Sequence, residues 1–326
     1  MRKYTKIACL IIFSILLLGL ATYSYAAKIA IVTNVDNPDY KNCRETFERE
    51  IKREGPANGI DIDFVYLDTK GDKAAFISGV NNLAAEVDLF FVAGTPNALA
   101  IKEAGVTKPV LFNAIAGPVG AKLVNSLEAP GTNFTGVHCA VPEDRQLRAL
   151  LLAVPNVRRI GLLYNPSDPA PAGQAKKWKD AIMGKEGLEI REFFIPETVN
   201  SAEALAEVTR ALVGQVDVIV STADAKVSPY GEGMINVANE NNIPTYTSLT
   251  SLVKKGALVS LGFDFAEGAK VSVKQAILIL KGNDPAGIPV STFPQYKLVL
   301  NLKTAQELNL DFTLESVKTA SEIIKD

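Results

Sequence analysis

Histidine is almost absent from this chain, which carries a single one, His138, and three cysteines among 326 residues. One imidazole without a cysteine cluster leaves a zinc site short of ligands. The Gly-x-Ser-x-Gly turn of a Ser-His-Asp hydrolase is missing. So are Gly-x-x-x-x-Gly-Lys-Ser/Thr and Gly-x-Gly-x-x-Gly, which removes the usual nucleotide cradles. Neighbours on a strand point to opposite faces, so His138 and Cys139 make a poor thiolate–imidazolium pair, and His138 reads as a buried or capping residue. No cofactor and no metal is expected. Charge of one sign is also lacking: 34 Lys and Arg stand against 36 Asp and Glu, with no basic cluster to grip phosphates. A nucleic-acid partner is therefore not expected.

Long apolar runs are limited to one, at the start. Arg2, Lys3 and Lys6 precede an apolar stretch over 7–21, and Ser24-Tyr25-Ala26 follows. This is the pattern of a secretory signal peptide over residues 1–26, cut after Ala26. The run is shorter than the roughly twenty residues that span hydrocarbon, which argues against a retained anchor. Cys9 lies far upstream of the cut, and Ala27 stands where a lipoprotein needs cysteine. The expected location is the periplasm, untethered.

Removal of the leader leaves 300 of the 326 residues, enough for two domains. The leader's three basic side chains go with it and move the net charge from −2 to −5. Cys43 and Cys139 remain; an oxidising compartment permits a bridge, but nothing places them together, and two buried free thiols are the simpler expectation.

Short apolar runs alternate with segments of helical period, the signature of parallel α/β sheets covered on both faces. Strands are expected over 28–33, 61–66, 88–93 and 109–113, with helices over 40–54, 73–86 and 97–105 between them. A second series has strands over 159–164, 188–194, 216–221, 243–247 and 257–263 and helices over 172–185, 202–213 and 231–241. Helices over 266–281, 304–308 and 314–324 and a strand over 297–302 close the chain. The two series echo one another: Val87-Asp88-Leu89-Phe90-Phe91 resembles Val216-Asp217-Val218-Ile219-Val220, and each leads to a strand opened by proline, Pro109 or Pro244. Either all βαβ units look alike or two lobes are similarly built. Both readings give two doubly wound sheets with a seam near 136–143.

Ligands of open α/β sheets sit beyond the carboxyl ends of the strands. The loops expected there carry Thr33-Asn34, Gly94-Thr95-Pro96, Asn113-Ala114, Tyr164-Asn165, Asp224, Ser248 and Asp264. Thr95 as N-cap and Pro96 at the first helical position would open a helix whose free amides suit an anion. Asp224 and Asp264 are candidates for a ligand ammonium, although carboxylates in such places are often caps. Tyr164, Tyr246, Phe263 and Phe265 are aromatics for an apolar ligand body, or core.

A family resemblance emerges from Gly94-Thr95-Pro96, Gly117-Pro118-Val119-Gly120-Ala121 and Pro130-Gly131-Thr132-Asn133-Phe134-Thr135-Gly136-Val137. Ile160-Gly161-Leu162-Leu163-Tyr164-Asn165-Pro166, Ser260-Leu261-Gly262 and Leu300-Asn301-Leu302-Lys303-Thr304-Ala305 extend it over the whole mature chain. The chain resembles the ABC-transporter substrate-binding proteins of the tryptophan/tyrosine-binding type. That resemblance implies an α/β, two-lobed periplasmic-binding fold of type I with the ligand cleft between the lobes. The lobes would comprise 27–140 with a returning segment at about 265–292, and 141–264 with part of 293–326.

It further implies a monomeric receptor that binds a small solute, an amino acid or similar, and delivers it to an ABC permease with its cytoplasmic ATPase. The binding set carried over is Thr33, Asn34, Gly94, Thr95, Pro96, Asn113, Ala114, Tyr164, Asn165, Asp224, Ser248 and Asp264. Asp224-Ala225-Lys226 departs from the Asp-Asn-Thr of many relatives, and Ser248-Leu249-Thr250-Ser251 lacks their acids, which points to a more apolar pocket and a different ligand. A ligand-sensing module for a separate membrane receptor is the alternative role. An enzyme on the same fold would have only Asp224 and Asp264 as recruits.

Overall fold

The computed structural model describes residues 25–33, 37–68, 73–293 and 296–325. Except for Tyr25 and Ala26, the expected leader lies outside them, as does Asn34. No helix among the described residues is long and apolar enough to cross a membrane.

Two sheets form the molecule. The first takes β1 (Tyr25–Thr33), β2 (Ile60–Asp68), β3 (Leu89–Ala93), β4 (Val110–Ile115), β5 (Phe134–His138) and β11 (Ser291–Thr292), in the order β11-β5-β4-β3-β1-β2. The second takes β6 (Arg159–Tyr164), β7 (Glu189–Phe194), β8 (Val218–Ser221), β9 (Thr245–Thr247), β10 (Val259–Gly262), β12 (Lys297–Asn301) and β13 (Glu322–Ile324), ordered β13-β12-β10-β9-β8-β6-β7. Pairing is parallel throughout except between β10 and β12. Counted within its own lobe, each sheet runs 2-1-3-4-5, the doubly wound order in which helices cover both faces.

The first sheet is flanked by α1 (Pro38–Glu54), α2 (Lys73–Ala84) and α3 (Thr95–Glu103), the second by α4 (Glu143–Ala153), α5 (Pro169–Ile182), α6 (Ala202–Arg210) and α7 (Val227–Glu240). Helix α8 (Phe265–Leu280) returns to the first lobe, while α9 (Leu302–Glu307) and α10 (Leu314–Thr319) stay with the second. The chain thus passes between the sheets after β5, after β10 and after β11.

Period-two alternation fills both faces. Ile29 and Ile31 of β1 and Leu89 and Phe91 of β3 face one core, where Phe47 of α1 stacks on Phe91 at 3.9 Å. Ala30, Val32, Phe90 and Val92 face the other. The expected echo between halves has an atomic counterpart. Asp88 accepts the Lys28 N–H at 2.9 Å, and Asp217 accepts the Arg159 N–H at 2.8 Å, so each pins the backbone of its lobe's first strand. Likewise Phe90 and Ile219 donate their N–H groups to Pro109 and Pro244.

Three expectations need correction. Neither strand β5, which runs into the seam expected near 136–143, nor helix α4, which follows that seam, is among the expected elements, although Leu147, Leu150 and Ala153 bury one helical face. The helix expected over 314–324 stops at Thr319, because Ile323 and Ile324 pair as an edge strand with Leu300 and Asn301. Thr95 is the first residue of α3 and Gly94 its N-cap, so Pro96 occupies the second position. Cys43 and Cys139 are buried free thiols, as expected.

Candidate functional site

In a 2-1-3-4-5 sheet the crossovers diverge between strands 1 and 3, and the loops there leave a crevice. In this chain the crevices of both sheets face each other. They enclose a tight cavity of about 20 Å³ lined by Asp39, Tyr40, Thr95, Pro96, Ala114 and Cys139 from the first lobe and Asp168, Asp224 and Ser228 from the second, with Phe265 at the crossover. That is room for about one water molecule, so a solute enters only as the lobes part. A wider cleft, containing Asn165 and Lys226, opens from it and shares Tyr40, Pro96, Asp168 and Ala225.

Each element delivers its side chain for a local reason. Asn37 caps α1, accepting from the N–H groups of Asp39 and Tyr40, and so projects both residues into the cavity. Gly94 adopts φ 90°, which L side chains avoid. A Cβ there would sit 2.5 Å from the Tyr40 hydroxyl, so the absence of a side chain is what admits the tyrosine ring. Helix α3 has no side-chain cap, and its first turn opens on the cavity. Ala114 holds the left-handed conformation, φ 57°, at the cavity wall; such backbone strain gathers at ligand sites. Asp168 caps α5 through Oδ1 to the Ala170 N–H at 3.0 Å. Asp224, 2 % exposed, accepts from the N–H groups of Asn165 at 2.7 Å and Lys226 at 2.8 Å. From α7, the Ser228 hydroxyl crosses the gap to Asn37 Oδ1 at 2.9 Å and to Asp39 Oδ2.

Burial disfavours charge on all three carboxylates. Asp39 and Asp224 are raised above the usual aspartate value by burial, partly offset by their hydrogen bonds. Asp168 is pushed up to about 6 by burial, with Asp224 and Glu197 adding repulsion. Burial and the surrounding carboxylates push the Tyr40 hydroxyl well up. Burial also raises the Cys139 thiol and lowers His138, whose Nε2 donates to the Ala116 carbonyl at 2.7 Å. Neither is an activated catalytic group.

The structure brings together Thr95, Pro96, Ala114 and Asp224 of the expected set, with Gly94 as the hinge of α3 and Asn165 in the outer cleft. Five others lie outside the cavity lining. Asn113 is fully buried and donates to Ser272 Oγ of α8 at 3.0 Å, while its carbonyl oxygen takes the Ala114 N–H. Tyr164 has the parity of Ile160 and Leu162, so it packs toward α4 and α5 and donates to Glu192 at 2.7 Å. Ser248 donates to Gln146 Oε1 at 2.9 Å. Asp264 caps α8 and pairs with Lys297 at 2.9 Å, the capping role prevailing over ligand contact. Thr33 ends β1 at 2 % exposure with an unpaired hydroxyl, outside the cavity lining.

Asp39, Tyr40, Asp168 and Ser228 escaped the sequence reading. The signal was present: both first-strand loops carry an asparagine–proline pair and then an aspartate, Asn37-Pro38-Asp39 and Asn165-Pro166-Ser167-Asp168, so the reading stopped a few residues short in each lobe.

Residues 28–324 match the family model described as ABC transporter substrate binding protein. The chain is 26 % identical over 283 residues to a tyrosine-binding protein of Clostridioides difficile, covering 86 % of this chain and 81 % of that one. Among solved structures, a domain from Streptococcus pneumoniae in complex with L-tryptophan is 29 % identical, with a TM-score of 0.83 over 92 % of this chain and all of the other. A ligand-free, open substrate-binding protein with adhesive properties from Clostridium difficile is 27 % identical, with a TM-score of 0.69 over 92 % of this chain and 100 % of that one. The chain belongs to the ABC transporter substrate-binding proteins, a family that binds solutes and is not one of enzymes.

Proposed function

We propose that this protein is the extracytoplasmic receptor of an ABC importer, closing over a small amine-bearing solute and presenting it to the membrane permease. The observation that carries the reading is the enclosed cavity at the facing switch points, with lining from both lobes and a Ser228 bridge to Asn37 and Asp39 across the gap. Two similarly identical relatives support a closed form: the fit is 0.83 to the tryptophan-bound one and 0.69 to the ligand-free open one.

The two lobes divide at the three crossovers, with 27–140 and about 265–292 in one and the rest of the chain after residue 140 in the other. Bending there opens and shuts the cleft. Contacts made only in the shut form drive closure, because equal affinity for both forms shifts nothing. The uncapped start of α3 with Thr95 offers one pole and Asp168 with Asp224 the other. Tyrosine and tryptophan, the ligands of the relatives, are the first solutes to try. The leader is cut after Ala26, which leaves the monomeric receptor free in the periplasm.

Calorimetric titration with amino acids and amines, paired with small-angle scattering, tests this. Binding with a smaller radius of gyration is expected. A solute panel that produces neither heat nor contraction refutes it.

A further inference from the structure

The charges lining the cavity do not balance. Three carboxylates, Asp39, Asp168 and Asp224, line it, and no lysine, arginine or histidine does so among the described residues. The cations nearby are committed elsewhere. Lys226 sits in the outer cleft and donates to the carbonyls of Glu197 and Val199 at 2.7 and 3.0 Å. Lys297 pairs with Asp264, and Lys255 with Glu232 at 3.5 Å.

The hydrogen-bonding groups of the lining bear on the same question. Thr95, only 4 % exposed, and Tyr40 line the cavity with hydroxyls that have no hydrogen-bond partner among the described residues and that can donate or accept. Asp168 spends Oδ1 on its cap, and its Oδ2 has no hydrogen-bond partner among the described residues. The ionised carboxylates are acceptors alone, and an ammonium supplies three donors and no acceptor. A ligand carboxylate has acceptors alone. Against the two neutral hydroxyls, its only charged counter-pole in the lining is the α3 N-terminus, worth about half a charge, where Pro96 at the second position removes an amide. A metal ion is a poor fit, because no three His, Cys, Asp or Glu among the described residues are placed to hold one.

We infer that the solute is an organic cation, with more ammonium or guanidinium groups than carboxylates and a small apolar body against Ala114, Ala223, Leu249 and Phe265. Buried carboxylates cost free energy unless paired, and a zwitterion adds no net charge to offset three of them. The inference rests on the cavity being the solute site.

Matched pairs that differ only by the carboxylate test it: tyramine against tyrosine, tryptamine against tryptophan, cadaverine against lysine, agmatine against arginine. Each is titrated calorimetrically into the full protein, dialysed free of solute. The amine should bind at least tenfold tighter than its amino acid in every pair that binds, and Asp168→Asn should shrink that ratio. An amino acid equal to or tighter than its amine overturns the inference and leaves solute binding intact. Failure of all eight compounds overturns both.

Discussion

Asp168→Asn is an unusually clean perturbation. Asparagine caps a helix as well as aspartate does, so the bond from the Ala170 N–H to Oδ1 survives while the charge goes. In the ligand-free protein the carboxyl titrates near 6, above its usual 3.8, because burial and the neighbouring Asp224 and Glu197 oppose ionisation. Between those two values the folded state holds a proton that the unfolded chain has released. The stabilising contribution is therefore complete below pH about 4 and is lost as pH rises through about 6. Two pKa units at about 1.4 kcal/mol each set an upper bound near 3 kcal/mol, and solvent at a partly exposed site reduces it. Ligand-free Asp168→Asn should thus be more stable than the parent at pH 7 by about 1–3 kcal/mol, several degrees in Tm for a chain of this size, and level with it at pH 4. Solute binding should move oppositely. Losing a charged hydrogen bond of about 1.5–3 kcal/mol weakens an amine ligand roughly ten- to hundredfold at pH 7. The parent's affinity should fall as pH drops through about 6, and the variant's should not. Differential scanning calorimetry and titration at four pH values read both effects. A variant less stable at pH 7, with unchanged affinity and an unchanged pH profile, refutes the assignment.

Gly94→Ala places a Cβ 2.5 Å from the Tyr40 hydroxyl on a backbone at φ 90°, so binding should weaken at least tenfold and Tm should drop, both measurable by thermal shift with and without solute. Ser228→Ala removes the bridge to Asn37 and Asp39; about 1 kcal/mol of closed-form stability goes with it, and scattering of the ligand-free protein should show a more open average. Tyr164→Phe and Ser248→Ala lose bonds to Glu192 and Gln146 away from the cavity, so titration should return the parent's affinity even if stability falls by about 1 kcal/mol. Phe91→Ala strips the ring that stacks on Phe47 and should cost about 3–5 kcal/mol in chemical denaturation.

The strands and crossover helices were legible because both sheets are buried on two faces, so their runs are apolar from end to end, as in Leu89–Ala93. Position beyond the carboxyl ends of the strands was legible too, and it found Thr95, Pro96, Ala114 and Asp224. Side-chain direction was not. Tyr164 ends β6 and Asp224 follows β8, but the parity that sends Tyr164 into the α4–α5 layer is fixed only by where the strand ends. Asp264 and Asp168 look alike in sequence, each opening a helix. What separates them is tertiary: Lys297 arrives beside Asp264 from 33 residues away, while Asp168 keeps one oxygen toward the gap. β5 was missed because a change of lobe was expected where the chain was still completing the first sheet.

The path of the chain has a bearing on how the protein is made. Helix α8, which covers α1 and holds Asn113 and Gly136 through Ser272 and Gln275, begins only at Phe265, and the edge strand β11 comes later still. The N-terminal half of the molecule therefore waits, with part of its greasy surface bare, until most of the polypeptide has emerged. Such sequence-distant closures slow folding. A nascent chain halted near residue 260 would be a target for chaperones and proteases.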